Sequence, residues 1–281
     1  MRDAIEHGVR AFRGATLLFW VVVAAVGAAG CRGTSDLDPQ PVTPQRPTFS
    51  SDTFTTAEGT VEVEVGVALD PTDSFDTPVT MKYGLSPTSE IFVGWSPYQW
   101  AETPGSNAEG VGDTVIGTRQ RILQPAEEGG TAGAIQLATK LPTGSEREGL
   151  SSGELDLFAS GILTRTVSNV GITGYYQLGF LGEADDSDFD LEHGFALAAG
   201  MPLIDEVSVF GEIAAVLAHE EDREEVFTTL GVGYALSPDF ILDVAMVVGL
   251  SRDAADFAVL IGFTKNIGDV LGWLGLRPAA R

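Results

Sequence analysis

The chain has 281 residues and a formal net charge of −24 at pH 7, yet its mean hydropathy is slightly positive, at +0.13. Such an acidic balance argues against nucleic acid as a partner, because nucleic acid binding needs a basic surface. The single cysteine excludes an intrachain disulfide. The strongly negative charge together with the slightly positive mean hydropathy predicts a β-barrel with an apolar outward face and acidic loops.

Residues 1–30 predict a signal peptide of the lipoprotein type. The apolar run from Ala15 to Gly30 is short for a membrane span and follows a segment with three arginines. The small residues Ala28–Gly30 directly precede Cys31 and, with it, resemble a bacterial lipobox, which implies lipidation of Cys31. The alternative is an ordinary cleavage site near Gly30, with Cys31 incidental. Residues 31–56 are rich in proline, serine, threonine and aspartate, which predicts a periplasmic linker.

Residues 57–267 predict an all-β fold, a transmembrane antiparallel up-and-down barrel of about twelve strands. The alternation of apolar and polar residues is clearest in Asn169–Gly182, where Val170, Ile172 and Tyr176 share one face. That run is long enough to cross a bilayer at a tilt, which takes about 9–11 residues, whereas average strands have about 5–6. The predicted strands are Gly59–Leu69, Pro78–Leu85, Glu90–Trp100, Val111–Gln124, Thr131–Leu141, Gly153–Val167, Asn169–Gly182, Asp190–Met201, Asp205–Ala218, Glu224–Leu236, Asp239–Leu250 and Ala255–Ile267.

The predicted connections alternate between long and short. Outer-membrane barrels have long outer loops and short periplasmic turns, so this alternation predicts the outer membrane of a Gram-negative bacterium. With an even number of strands, both termini are then periplasmic. The tail, residues 268–281, carries a small apolar patch and predicts a short interfacial helix.

Three motifs, in the same order along the chain, resemble a known barrel family. They are Gln45–Phe49 with the following strand Val61–Gly66, then Gly112–Arg119, and then Ala138–Gly144. The family is the outer-membrane transporters called putative MetA-pathway of phenol degradation. The resemblance implies outer-membrane localisation and uptake of small, often aromatic compounds.

Alternation assigns a set of charged residues to the barrel lumen. One interpretation is a selectivity lining, because rings of charge set pore preference. The other is an internal network of ion pairs and hydrogen bonds that fills the barrel, because buried charges must be paired or hydrated. The candidates are Glu62, Glu64, Lys82, Glu90, Asp113, Arg119, Arg121, Lys140, Glu154, Asp156, Glu192, Glu212 and Asp243.

The segment just before the first predicted strand is a candidate lumen plug. Pro47 and the short length of the segment argue against a helix, and Arg46 is a lone cation next to a lumen rich in carboxylates. We expect Arg46 and Phe49 to enter the periplasmic end of the lumen, with Arg46 paired to an inward acid such as Glu62 or Glu64. The alternative is a free tether.

Composition and motifs predict a passive channel or uptake barrel for small compounds, with a closed barrel of structural or surface role as the alternative. Outer-membrane lipid and a small-molecule cargo are the expected partners, and the oligomeric state stays open. The acidic outer loops lack an EF-hand spacing, so neither a metal nor another cofactor is expected. An enzyme is not expected either, because neither His193 nor His219 has the serine two places on that an outer-membrane phospholipase needs.

Overall fold

The computed structural model describes residues 40–70, 74–103, 106–125, 129–145, 150–182, 189–219 and 223–273. The predicted signal peptide, Cys31, the acidic loop centres and the last eight residues of the tail lie outside the described residues. Among the residues that are described, no helix combines the length and the apolar character needed to cross a membrane.

The described residues form fifteen strands in one antiparallel sheet, and twelve of these strands close into a barrel because β1 pairs with β15. The neighbours around the wall are β1, β3, β4, β7 and then β8 to β15 in chain order. The predicted twelve-stranded antiparallel barrel is therefore confirmed. The strands are β1 Val61–Asp70, β2 Ser74–Asp76, β3 Val79–Ser86, β4 Ser89–Trp95, β5 Gln99–Thr103, β6 Ser106–Gly110, β7 Thr114–Leu123, β8 Thr131–Leu141, β9 Asp156–Val167, β10 Val170–Gly182, β11 Phe189–Ile204, β12 Val207–Ala218, β13 Arg223–Ser237, β14 Phe240–Gly249 and β15 Phe257–Gly268.

The two faces of the wall differ in chemistry. On β14, Leu242, Val244 and Met246 are exposed, whereas the alternating residues Asp243 and Ala245 are buried. Because successive strand residues point to opposite faces, the exposed apolar set faces outward and the buried set faces the lumen. An outward apolar face is what a bilayer requires of a spanning barrel.

The three short strands β2, β5 and β6 were not predicted. The predicted strand Glu90–Trp100 is divided into β4 and β5 around Pro97, which lacks the amide proton that a ladder needs. β2 pairs with the last residues of β1, and β5 and β6 extend the sheet from it. The three strands thus prolong the wall at one end of the barrel.

The connections give the barrel two distinct ends. At the short-turn end, Ser168–Asn169, Asp205–Glu206 and Pro238–Asp239 are two-residue turns, and Ser168 has a φ of 57°. The opposite, long-loop end carries β2, β5, β6 and the longer connections. β1 begins and β15 ends at the short-turn end. A short helix, α1, covers Val270–Trp273 directly after β15.

Candidate permeation path and lumen plug

Residues 40–56, called the plug below, lie inside the barrel. The plug enters at the short-turn end, where Val42 N donates a hydrogen bond to Pro238 O (3.0 Å). It leaves at the same end, where Thr55 Oγ1 donates to Pro87 O (3.4 Å). Between these points it contacts lumen-facing groups on strands all round the wall. It is therefore a loop inserted into the lumen from the end at which the chain then starts β1.

Lumen carboxylates hold the plug by accepting hydrogen bonds from its backbone amides. Glu62 accepts from Thr43 N (3.0 Å) and Glu64 accepts from Gln45 N (2.8 Å). Glu90, on β4, accepts from Thr56 N (2.6 Å). Hydrogen bonds to an ionised acceptor are stronger than neutral ones, so acids are effective anchors for a segment without regular structure.

Glu212 holds the tip of the plug. Its two carboxylate oxygens accept hydrogen bonds from Phe49 N and Ser50 N, both at 2.8 Å, and the Ser50 hydroxyl donates to the same carboxylate. The Phe49 ring packs edge-on against Tyr175 and Phe227, with centroid distances of 5.7 and 6.0 Å. The bare backbone of Gly194 makes room for this ring, since a Cβ there would lie 2.8 Å from it.

Arg46 contacts a neighbouring part of the wall, on β14 and at the seam between β1 and β15. Its Nη1 atom donates to both carboxylate oxygens of Asp243, at 3.1 and 3.2 Å, and to Val65 O at 3.1 Å. The guanidinium occupies a notch at the β1–β15 seam, where Gly66 and Gly262 are paired in register. A Cβ on either glycine would overlap the guanidinium. Only glycine therefore leaves space for this side chain.

Arg46 is paired with an inward acid, as predicted, but this acid is Asp243 and neither of the two examples named, Glu62 and Glu64. Both carboxylates pair instead with Lys82, whose Nζ atom lies 2.7 Å from Glu64 and is also bonded to Glu62. Lys82 is opposite Glu62 in the β1–β3 register, so the two side chains share one face at close range. The cross-strand lysine satisfies these acids, and the plug arginine pairs with Asp243.

Plug residues 53 and 54 are bound by the two arginines of β7. Arg119 donates to Phe54 O (3.0 Å) and pairs with Glu90 (3.3 Å). Arg121 donates to Thr53 O (2.8 Å), and its guanidinium carbon lies 5.5 Å from the centre of the Phe54 ring.

The other charged candidates lie toward the long-loop end. Among the described residues, no hydrogen bond or ion pair joins them to the plug. Lys140 pairs with Asp156, and Glu192 pairs with Arg223 at 2.8 Å. Asp113 lies directly before β7 instead of on it, 3.6 Å from Lys140, and accepts a hydrogen bond from Gly144 N (2.8 Å).

Glu154 was predicted on a strand and is not on one. The ladder between β8 and β9 begins at Asp156, opposite Lys140. Gly153 has a φ of 77°, a left-handed conformation that interrupts the extended backbone at this point. Glu154 is thus in the connection at the long-loop end.

Two cavities adjoin the plug on different sides. One, of about 350 Å³, extends toward the long-loop end along Pro78, Trp95 and Asp113. The other, of about 330 Å³, extends toward the short-turn end and is bordered there by Gly171 and Gly233. Both are lined by the same three plug residues, namely Gln45, Arg46 and Thr48. These three residues therefore border both spaces, one of which extends toward the long-loop end and the other toward the short-turn end.

The charges around the two cavities are mixed. Arg46, Lys82 and Arg119 border the first together with Glu64 and Asp113. Arg46 also borders the second, together with Asp52 and Asp243. The guanidinium of Arg46 is therefore the positive group common to both.

Gln45, Thr48 and Asp52 were missed by sequence reasoning. Gln45 and Asp52 close the plug on itself, because Gln45 Nε2 donates to Asp52 Oδ1 (3.0 Å) and Asp52 N donates to Gln45 Oε1 (2.9 Å). Burial raises the pKa of Asp52, and the hydrogen bond from Gln45 acts in the opposite direction. Gln45 and Thr48 lie in the Gln45–Phe49 motif, but polar residues in a proline-rich segment are also typical of solvated linkers, so their contacts inside the lumen were not predicted.

The structure shows the surroundings of His193, one of the two histidines considered as catalytic candidates. His193 faces outward and bonds Tyr176, with 3.0 Å between Nδ1 and the phenol oxygen. No cluster of three or more histidine, cysteine or acidic side chains among the described residues is arranged to hold a metal ion.

No family model and no curated protein matches this chain. Among solved structures, a COG4313 outer membrane channel from Pseudomonas putida F1 superposes with a TM-score of 0.63 at 10% identity, covering 78% of this chain and 100% of that one. The NanC porin gives a TM-score of 0.54 at 10% identity, covering 73% and 98%. The KdgM porin in complex with disordered oligogalacturonate gives 0.53 at 7% identity, also covering 73% and 98%. The chain thus has the fold of outer membrane β-barrel channels.

Proposed function

We propose that the protein is a passive channel for small molecules in the outer membrane of a Gram-negative bacterium, and that the plug forms its constriction. The observation that carries this proposal is the pair of cavities on either side of Gln45, Arg46 and Thr48. A barrel with a purely structural role does not require cavities on both sides of a constriction in its lumen. In this orientation the short-turn end, the plug entrance and both termini are periplasmic.

The cargo is a small compound. The first cavity is lined by the inward-facing apolar residues Phe92 and Val115 beside its charged groups, which suits compounds with an aromatic or aliphatic portion. This agrees with the cargo implied by the motifs that resemble the putative MetA-pathway transporters. Its volume of about 350 Å³ lies at the small end of ligand pockets, which span roughly 300–1,000 Å³.

A closed barrel with a structural or surface role is the second candidate. The plug favours it, because Glu62, Glu64, Glu90 and Glu212 all accept hydrogen bonds from its backbone amides and hold it inside the barrel. In this reading the ion pairs fill the barrel permanently.

Planar-bilayer recording distinguishes the two candidates. Purified full-length protein should produce discrete conductance steps in potassium chloride. A variant that deletes residues 40–56 should produce larger steps, since the constriction is removed. Silence from the intact protein together with steps from the deletion variant would favour the closed barrel. Silence from both, with insertion shown by resistance to added protease, would refute the channel.

A further inference from the structure

The outward wall carries a large apolar groove that the channel proposal does not use. Gly133, Gly161 and Gly174, on the neighbouring strands β8, β9 and β10, leave the outward face without side chains. A Cβ at Gly161 or Gly174 would meet no atom within 4 Å. The groove has a volume of about 860 Å³, and its outward rim is formed by Ile135, Leu163, Tyr176, Phe195, Leu197 and Ile213.

Register places this groove on the outside. Gly161 is paired with Ile135 on β8 and with Tyr176 on β10, and paired residues share a face. Ile135 and Tyr176 are 43% and 40% exposed. The alternating neighbour Ile162 is 2% exposed and packs with the lumen cluster that includes Phe49.

The groove is not a lateral opening into the lumen. The ladders β8–β9, β9–β10 and β10–β11 are paired without a break, and the one irregularity between β11 and β12, at Pro202, lies outside the groove. A molecule in the groove therefore stays on the membrane side of the wall.

The shape and surroundings of the groove suit a hydrocarbon chain. Its lining residues lie on the strands from β7 to β13, and at roughly 4.8 Å between neighbouring strands this is about 29 Å. An acyl chain crosses one leaflet, about 15 Å of a hydrocarbon core of roughly 30 Å, so the groove is long enough to hold one. The groove is also continuous with the exposed apolar face that meets lipid, as the exposure of Leu163 and Leu197, both 57%, shows.

A polar group lies on the long-loop side of the groove. His193 is on the outward face of β11, and its ring is stacked at 6.1 Å from Tyr176 and 6.4 Å from Phe195. Tyr176 bonds Nδ1, while Nε2 has no hydrogen-bond partner among the described residues. A polar group in an apolar belt is costly unless it is bonded. A lipid phosphate next to the apolar groove would satisfy it.

We propose that this groove binds one acyl chain of a phosphate-bearing membrane lipid, with His193 donating a hydrogen bond to the headgroup. The site lies on the opposite side of the wall from the plug. Its occupation is therefore independent of whether the lumen conducts.

Native mass spectrometry of the full-length protein, titrated in detergent with dimyristoylphosphatidylglycerol, tests the proposal. One lipid per barrel is expected. The double variant Gly161→Leu with Gly174→Leu fills the groove and should weaken binding at least about tenfold, equivalent to about 1.4 kcal/mol. Val244→Leu is the matched control, because it enlarges an exposed residue on β14, outside the groove, and should leave binding unchanged.

The headgroup contact has its own variant. His193→Leu should weaken binding of the phosphatidylglycerol but not of dimyristoylglycerol, which lacks phosphate. If the double variant does not fold, Gly174→Ala should still give a smaller loss of the same kind. Equal binding by the original protein and the filled variant would overturn the proposal, as would no retained lipid. A dimer that only the original protein forms would also overturn it, since a second copy would then occupy the groove.

Discussion

Truncation of Arg46 tests whether the plug controls the lumen. Arg46→Ala empties the notch between Gly66 and Gly262 and removes a side chain that lines both cavities. We expect a higher single-channel conductance, because the two cavities then join. We also expect a shift of selectivity toward cations, because Asp243 and Asp52 remain beside the path without the guanidinium.

The energy of the contact can be estimated from its geometry. At 3.1 Å and an effective dielectric constant of about 20, the Coulomb attraction between Arg46 and Asp243 is about 5 kcal/mol. Desolvation removes much of this, since the two side chains are only 12% and 5% exposed. Hydrogen bonds to charged groups contribute about 1.5–3 kcal/mol net, so we expect a coupling free energy of about 2 kcal/mol.

A double-mutant cycle measures that coupling. Arg46→Ala, Asp243→Ala and the double variant are unfolded with urea from phospholipid vesicles, and the departure from additivity gives the pairwise term. Arg46→Met separates charge from bulk, because it keeps an unbranched side chain in the notch and should raise the conductance less than alanine does. Additive losses would refute the ion pair. An unchanged conductance in Arg46→Ala would show that the path does not pass this residue.

Four further outcomes are expected. Glu212→Ala should loosen the plug tip and raise the conductance, whereas Glu212→Gln should have a smaller effect because one oxygen still accepts a hydrogen bond. Bilayer recording compares the two variants, and equal conductances would contradict the hydrogen bonds between Glu212 and the plug. Burial raises the pKa of Asp52, so the folded state loses stability as the pH rises from the ordinary pKa of 3.8 through the raised one; Asp52→Asn keeps an oxygen acceptor and should raise the free energy of unfolding at pH 8 more than at pH 3, and a change independent of pH would argue against this. In a Cys31→Ser background, a cysteine at Phe49 should react with a periplasmic thiol reagent more slowly than one at Gln40, and equal rates would argue against insertion of the plug tip. Metabolic labelling with a fatty acid should mark the original protein but not Cys31→Ser. Absence of label from both proteins would show that Cys31 is not lipidated.

The wall could be predicted from sequence because its signal is local. Period-2 alternation depends only on neighbours along one strand. It placed Asp243 on one face of β14 and Leu242 and Val244 on the other, with no need to know which strands pair with β14. Pro97 was recognisable as an interruption, but the strands β5 and β6 beyond it were not predicted. Those strands depend on pairing with β2, which is only three residues long and carries little periodic signal of its own.

The contacts of the plug could not be predicted in the same way. Alternation identified Glu212 and Asp243 as inward acids, but it does not tell which inward acid meets which plug residue. Arg46 and Asp243 are 197 positions apart, and the notch that brings them together depends on the register of β1 with β15. An inward acid was expected to pair with Arg46, but Glu62 and Glu64, the examples named, are paired with Lys82 across the β1–β3 register.

The two interpretations of the lumen charges, a selectivity lining and an internal network, use the same groups. Glu212 bonds plug amides now, and without the plug it would face the open lumen as a free carboxylate. Asp243 changes in the same way when Arg46 leaves. The charge that a solute meets is therefore set by the position of the plug as well as by the barrel wall. Variants of the plug and of the wall acids should alter selectivity together, and a channel whose selectivity responded to the wall alone would carry its solutes along a path that avoids the plug.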